Sequence, residues 1–293
     1  MAKSITRIFV WLLVMAVLTV VAMLVWQACT GGAQTTAGLK WLQLLQTVGT
    51  FLLPPVLCAW LWDEHHRPFA WLKMNKGADR WVFVWAVVVM VCAIPAINLL
   101  ADLNSRIELP ESLASIEQMM KQWEENAASL TERFLKADSI GGLFANLGLL
   151  ALLPALAEEL SFRGTLQQLL ADDKQPSVKI HAAIWITAFV FSAIHMQFYG
   201  FIPRMLMGAM FGYVFVWTGS LWVPVVMHFT NNGVAVIAYY CLGESMDGKN
   251  YADTFGAGTT WWVGVLSLAA VSLLLWMFTS RDPQGYVRRT RKQ

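Results

Sequence analysis

From Ile8 to Trp26 the chain carries no charged side chain, and the same is true across 41–62 and 81–101. Blocks of about 20 apolar residues are long enough to cross a ~30 Å hydrocarbon layer as helices. Inside lipid, only helices and closed barrels satisfy their own backbone groups, and barrel strands need only about 9–11 residues. The blocks are too long for strands and show no two-residue alternation. Charged residues make up 14% of the chain, against about 25% in soluble domains. The sequence therefore predicts an all-α membrane protein, a polytopic bundle of about eight transmembrane helices.

The first span is the run from Ile8, preceded by Lys3 and Arg7. It exceeds the ~7–15-residue core of a signal peptide and is read as a membrane helix. Further spans are predicted near 40–62, 81–101, 142–163, 180–198, 201–217, 220–241 and 260–279, with Pro54-Pro55 and Pro95 expected to kink two of them. Basic residues cluster on one side. Lys3 and Arg7 fall there with Arg67, Lys73, Lys76 and Arg80, with Lys174 and Lys179, and with Arg281, Arg288, Arg289, Arg291 and Lys292. Both termini are therefore expected to be cytoplasmic, in what reads as a bacterial cytoplasmic membrane.

The long outer connection, from about Asp102 to Ile140, is not structureless. Leu113, Ile116, Met119, Met120 and Trp123 recur at helical spacing after Pro110, and Ser129 with Glu132 has a capping-box pattern for a second short helix. An interfacial helical hairpin is expected, with substrate gating as the alternative. Cys29, Cys58, Cys92 and Cys241 show no metal-ligand or disulfide spacing. One integrated membrane domain is expected: 1–139 carries three spans and the outer segment, 140–242 a core rich in unusual polar residues, and 243–293 the last span with a basic tail.

Ionisable groups within membrane spans are costly and by default mark function. Three places in the second half break the apolar pattern. In Glu158-Glu159-Leu-Ser-Phe-Arg163, Glu159 and Arg163 stand four apart on one helix face and can pair. Glu158 points about 100° away and is left without a local partner, as a general base requires. Phe191-Ser-Ala-Ile-His195 puts a ring and an imidazole on one face near a span end. His228-Phe-Thr-Asn-Asn232 does the same for an imidazole and an amide inside an apolar run. The plain alternatives are headgroup solvation for the first two motifs and a helix–helix hydrogen bond for the third.

Arithmetic along the helices weakens those alternatives. Glu158 lies ~14 residues, or ~21 Å, before the turn near Asp172–Pro176, and His195 lies ~18 residues, or ~27 Å, after it. An antiparallel pair therefore brings them to similar depth. The same count puts His228 about two turns deeper than His195, a gap that tilt or a short sixth span must close.

These three motifs in this order resemble the CPBP family, which includes type II CAAX prenyl endopeptidases and bacterial proteins linked to bacteriocin processing and immunity. The resemblance covers about residues 140–242. It implies that Glu158 activates a water with the help of His195, and that His228 and Asn232 polarise the scissile carbonyl and hold the oxyanion. Glu159, Arg163 and Phe191 would then be supporting residues. It further implies an intramembrane endopeptidase acting on a membrane-associated or lipidated protein or peptide. A non-catalytic scaffold or bacteriocin-immunity protein is the alternative, and a transporter with an ionisable path a third reading. The family is commonly labelled metalloprotease, so Glu158, His195 and His228 are candidate ligands for a possible zinc. Using Glu158 as a ligand would remove the base, and the HExxH spacing is absent, so a metal-free mechanism is favoured. The lipid bilayer and a membrane-bound substrate are the expected partners, and nucleic acid is not.

Overall fold

The computed structural model describes residues 2–171, 177–243 and 254–281. The turn at 172–176, Lys174, and the tail with Arg288, Arg289, Arg291 and Lys292 lie outside the described residues. The chain forms helices α1 (Ala2–Thr30), α2 (Thr36–Trp62), α3 (Arg80–Ser105), α4 (Ala114–Leu135), α5 (Ile140–Leu170), α6 (Ser177–Ala193), α7 (Phe201–Thr218), α8 (Trp222–Leu242) and α9 (Trp261–Arg281). This is an all-α polytopic membrane bundle.

Seven of the described helices are long and apolar enough to cross a bilayer, and the segment expected as a span over 180–198 is a shorter apolar helix. The difference has a local cause. α6 stops at Ala193, and Met196, just after His195, takes a left-handed φ of 53°, which turns the chain out of the helix. With 17 residues α6 reaches only ~25 Å.

The outer segment departs from the expected hairpin. A 3-10 turn at Glu111–Leu113 leads into one unbroken helix, and no cap forms at Ser129. Asn126-Ala-Ala-Ser129 contains no breaker, and Glu132 is engaged four residues on by Lys136 at 2.6 Å. α4 is tied down near its C-terminal end. Arg133 donates to the Gln34 carbonyl (3.1 Å), and Asn146 of α5 donates to the Leu135 carbonyl (2.9 Å) while accepting from Lys40 (2.7 Å).

The apolar surface is turned inside out relative to a soluble protein. Phe9, Leu13 and Leu24 of α1 and Leu266, Leu273 and Trp276 of α9 are all exposed, a pattern suited to hydrocarbon rather than water. The central core joins α3 (Val89, Met90), α7 (Phe211, Val214), α8 (Val223, Met227) and α9 (Val271). A second cluster packs Trp11 of α1 and Cys58 of α2 against Phe162 and Phe191.

The prolines are accommodated by two devices. Before Pro54-Pro55 and before Pro154, the helices open into π turns at Thr47–Leu52 and Leu147–Leu152. There Leu53 N–H reaches the Val48 carbonyl and Leu153 N–H the Gly148 carbonyl, five residues back. At Pro95 helix α3 stays continuous and a side chain from α9 enters its hydrogen-bond ladder. The Ser267 hydroxyl accepts from Ala96 N–H (3.0 Å) and donates to the Cys92 carbonyl. Ser267→Ala is expected to lower stability by about 1 kcal/mol, the usual scale for a polar contact between membrane helices. The loss should shrink in a Pro95→Ala background, where the ladder can close on itself. Thermal unfolding of the four proteins in detergent gives the coupling, and equal losses in both backgrounds would remove the bridge from this account.

Candidate active site

The site starts from α5, which opens into a third π turn at Phe162–Gln167, directly after the two glutamates. Such turns re-aim side chains and often sit at functional positions. Glu159 and Arg163 are both at 0% exposure, and Arg163 Nη1 donates to Glu159 Oε1 at 2.7 Å, the pairing expected from their spacing. The guanidinium also donates to the Gly208 carbonyl of α7 (2.7 Å) and lies between two aromatic rings. Its centre is 4.8 Å from the Phe191 centroid and 5.3 Å from that of Phe211. Phe191, a supporting residue by resemblance, is thus a wall of the arginine's pocket.

Small residues let α7 come this close. A Cβ on Gly208 would lie 3.2 Å from the Phe191 ring and 3.3 Å from the guanidinium, and one on Gly212 would lie 2.7 Å from Gln167 Oε1. Gln167 in turn donates to the Gly212 carbonyl at 3.1 Å. Gly208-Ala-Met-Phe-Gly212 is a small-xxx-small face, the sequence device that brings membrane helix backbones together.

His228 enters from α8. Its Nδ1 lies 2.9 Å from Glu159 Oε1, and since an ionised carboxylate can only accept, Nδ1 is the donor. The ring sits against Phe211 (centroids 5.5 Å apart) and Phe191 (5.9 Å). One oxygen of Glu159 therefore binds both Arg163 and His228. The depth gap expected between His228 and His195 is bridged at Phe191, whose ring contacts both imidazoles (centroids 5.9 and 5.1 Å apart). His228 meets Phe211, which stands beside the Gly208–Arg163 level, because these two residues lie at similar distances on either side of the turn at Gly219.

The orientation of His228 leaves Nε2 facing Glu158, whose Oε2 is 4.0 Å away. That oxygen is buried and has no hydrogen-bond partner among the described residues. His195 sits just beyond the end of α6. Its Nδ1 donates to the Phe191 carbonyl (2.7 Å) and its ring packs on Phe191 (5.1 Å), so Nε2 carries the free lone pair. Among the described residues, no hydrogen bond links His195 to Glu158. Asn232 lies one turn beyond His228, half-buried. Its Oδ1 accepts from Asn231 Nδ2 at 3.1 Å, which leaves the Asn232 Nδ2 as a donor.

Whether a metal fits can be tested on these positions. Among the described residues, no three His, Cys, Asp or Glu side chains converge as a metal-binding group. Glu158 and His228 approach each other, while His195 is held on its own helix carbonyl. The donor set does not fit a three-ligand zinc centre, and no step below runs through a metal.

One charged residue in this region was missed by the sequence reading. Arg204 lies in the first turn of α7, in a predicted span that none of the three motifs includes. It is within electrostatic reach of Glu158 and His195. The signal was available, since an arginine in an apolar span is itself an exception of the kind used for the other three motifs.

Breaking a buried ion pair by removing one partner strands the other charge, at about 3–5 kcal/mol. Arg163→Met is expected to destabilise the detergent-solubilised protein by that amount, and adding Glu159→Gln should recover part of it. Thermal melts of the single and double variants check this, and a double variant less stable than Arg163→Met alone would refute the pairing energetics.

With the geometry in hand, the chain can be set against known proteins. Residues 140–234 match the family described as type II CAAX prenyl endopeptidase Rce1-like. The uncharacterized protein YpbD of Bacillus subtilis (strain 168) is 33% identical over 89 residues, 29% of this chain and 41% of that protein. The match thus spans about two fifths of the curated relative's length. No solved structure matches. Over residues 140–234, which hold all three motifs, the chain is similar to the Rce1-like type II CAAX prenyl endopeptidases, and the resemblance drawn from the motifs fits.

Proposed function

We propose that this protein is an intramembrane endopeptidase that hydrolyses a peptide bond in a membrane-associated or lipidated protein or peptide. The observation that carries the reading is the arrangement of one free carboxylate oxygen opposite a fixed imidazole. Glu159 and Arg163 hold His228 by Nδ1, so that its Nε2 faces the unpartnered Oε2 of Glu158 at 4.0 Å.

In this reading Glu158 takes a proton from a water, and the hydroxyl attacks the scissile carbonyl. His195 assists through Nε2, which its Nδ1 bond to the Phe191 carbonyl leaves as an acceptor. The developing oxyanion is met by Nε2–H of a doubly protonated His228 and by Nδ2 of Asn232. Collapse breaks the C–N bond, and Glu158 returns its proton to the leaving amine. The apolar surroundings keep bulk water away and strengthen these interactions. Both termini belong on the cytoplasmic side of a bacterial membrane in this proposal, with the substrate reaching the site through the bilayer.

Removing a general base lowers rates by about 10²–10⁴-fold. Glu158→Gln and His228→Ala are each expected to bring cleavage of a membrane-peptide panel down by at least the lower figure, and a chelator to leave wild type unchanged. Cleavage by purified wild-type and variant protein in detergent, read by mass spectrometry, is the check. Turnover that survives Glu158→Gln would overturn the mechanism.

A further inference from the structure

Three buried polar atoms at the meeting of α5, α6 and α7 have no hydrogen-bond partner among the described residues: Arg163 Nε, Gln167 Oε1 and Thr187 Oγ1. All three residues are at most 1% exposed, so bulk solvent cannot satisfy them. Leaving such groups unpaired in an apolar interior is costly. Thr187 stands out among the threonines of the membrane helices. Thr19, Thr30, Thr218 and Thr230 each donate to the carbonyl four residues back, the usual outlet for a hydroxyl inside a helix. Thr187 leaves that outlet unused.

Contacts along α7 set these atoms around one seam. At Gly208, Arg163 donates to the carbonyl (2.7 Å), and a Cβ would lie 3.2 Å from the Phe191 ring and 3.4 Å from the Ala188 Cα. One turn on, at Gly212, Gln167 donates to the carbonyl (3.1 Å), and a Cβ would lie 2.7 Å from Gln167 Oε1 and 2.9 Å from Ile184 Cγ2. These two levels are ~6 Å apart along the helix. Thr187 stands three residues after Ile184 and four before Phe191, on the face of α6 that supplies both contacts. Glycine at 212 keeps the space beside Gln167 Oε1 open.

We propose that this seam is a binding site for a buried water that accepts from Arg163 Nε–H, donates to Gln167 Oε1 and bonds the Thr187 hydroxyl. The site is independent of the peptidase reading. A guanidinium nitrogen only donates, an amide oxygen only accepts, and a hydroxyl does either. A single water therefore satisfies all three, and three partners is the usual number for a buried water. A cation would meet the guanidinium, an anion would meet the Gln167 oxygen, and a lipid tail would satisfy none of the three. The water closes the last side of an arginine that already holds Glu159 Oε1, the Gly208 carbonyl and two aromatic rings. It thereby steadies the pair that orients His228.

Full-length protein in detergent is tested by thermal melting and by radiolytic labelling. Thr187→Val keeps the volume and removes the hydroxyl. With the water bound, that loss should lower the melting temperature by about 2–4 °C. A hydroxyl with no partner at all would be better replaced by valine, and the temperature would hold or rise. Thr187→Ser should stay closer to wild type than Thr187→Val does. The valine deficit should shrink in a Gln167→Met background, where the shared water has already lost an acceptor. In wild-type protein, brief X-ray pulses convert bound water to hydroxyl radicals that mark the nearest side chains. Ile184, 1% exposed but beside the seam, should take up oxygen, while Val89 and Val223, at 0% exposure in the α3–α8 core, should not. A valine variant as stable as wild type, a serine variant no better than valine, or an undiminished deficit beside Gln167→Met would each overturn the water site. So would an Ile184 marked no more than Val89. That result beside the expected melting pattern would assign the contact to a direct Thr187–Gln167 hydrogen bond.

Discussion

Two full charges, those of Glu159 and Arg163, sit at zero exposure within a bundle whose outer surface is apolar. Taking either out of water alone costs far more than a fold of this size can absorb. Their mutual contact at 2.7 Å makes burial tolerable, and each also reaches a further helix, although Glu159 Oε2 and Arg163 Nε are left without a partner. Arg163 reaches the Gly208 carbonyl of α7 and the rings of Phe191 on α6 and Phe211 on α7, while Glu159 receives His228 from α8. One ion pair therefore ties four helices at one depth. The two glycines of α7 are what allow the backbone to come near enough for this to happen.

The same rule, that polar groups inside a membrane must find protein partners, explains features remote from the site. Ser267 enters the ladder of α3 beside Pro95, and π turns absorb the prolines of α2 and α5. Each replaces a lost backbone bond with another. Glu158 Oε2 is one of several buried side-chain atoms left without a partner, together with Glu159 Oε2, Arg163 Nε and Gln167 Oε1 around the same site. Where such departures cluster around one site, chemistry or binding is to be sought.

The two histidines illustrate how second partners set chemistry. Both are fixed through Nδ1, one by the carboxylate of Glu159 and the other by the neutral carbonyl of Phe191. A carboxylate can accompany a ring that carries protons on both nitrogens, whereas a carbonyl suits a neutral ring with a lone pair at Nε2. Two side chains of one type are thereby suited to opposite duties in the proposed hydrolysis.

Much of this was legible in the order of residues. The apolar runs determined a helical membrane bundle, and the four-residue spacing determined that Glu159 and Arg163 share a face, because both follow from local helix geometry. Span ends were legible to within a few residues except at the start of α1, at the end of α5, which runs on to Leu170, and at 194–200, where the left-handed Met196 shortens α6. The outer hairpin failed because a capping pattern at Ser129 is weaker than the continuous helix around it. What only the tertiary structure decided is which groups meet: His228 on Glu159 rather than on Glu158, Arg163 on the Gly208 carbonyl, Ser267 beside Pro95. Those contacts depend on helix rotation, tilt and closeness of approach. They are set by packing between segments far apart in the chain, and local spacing carries no information about them.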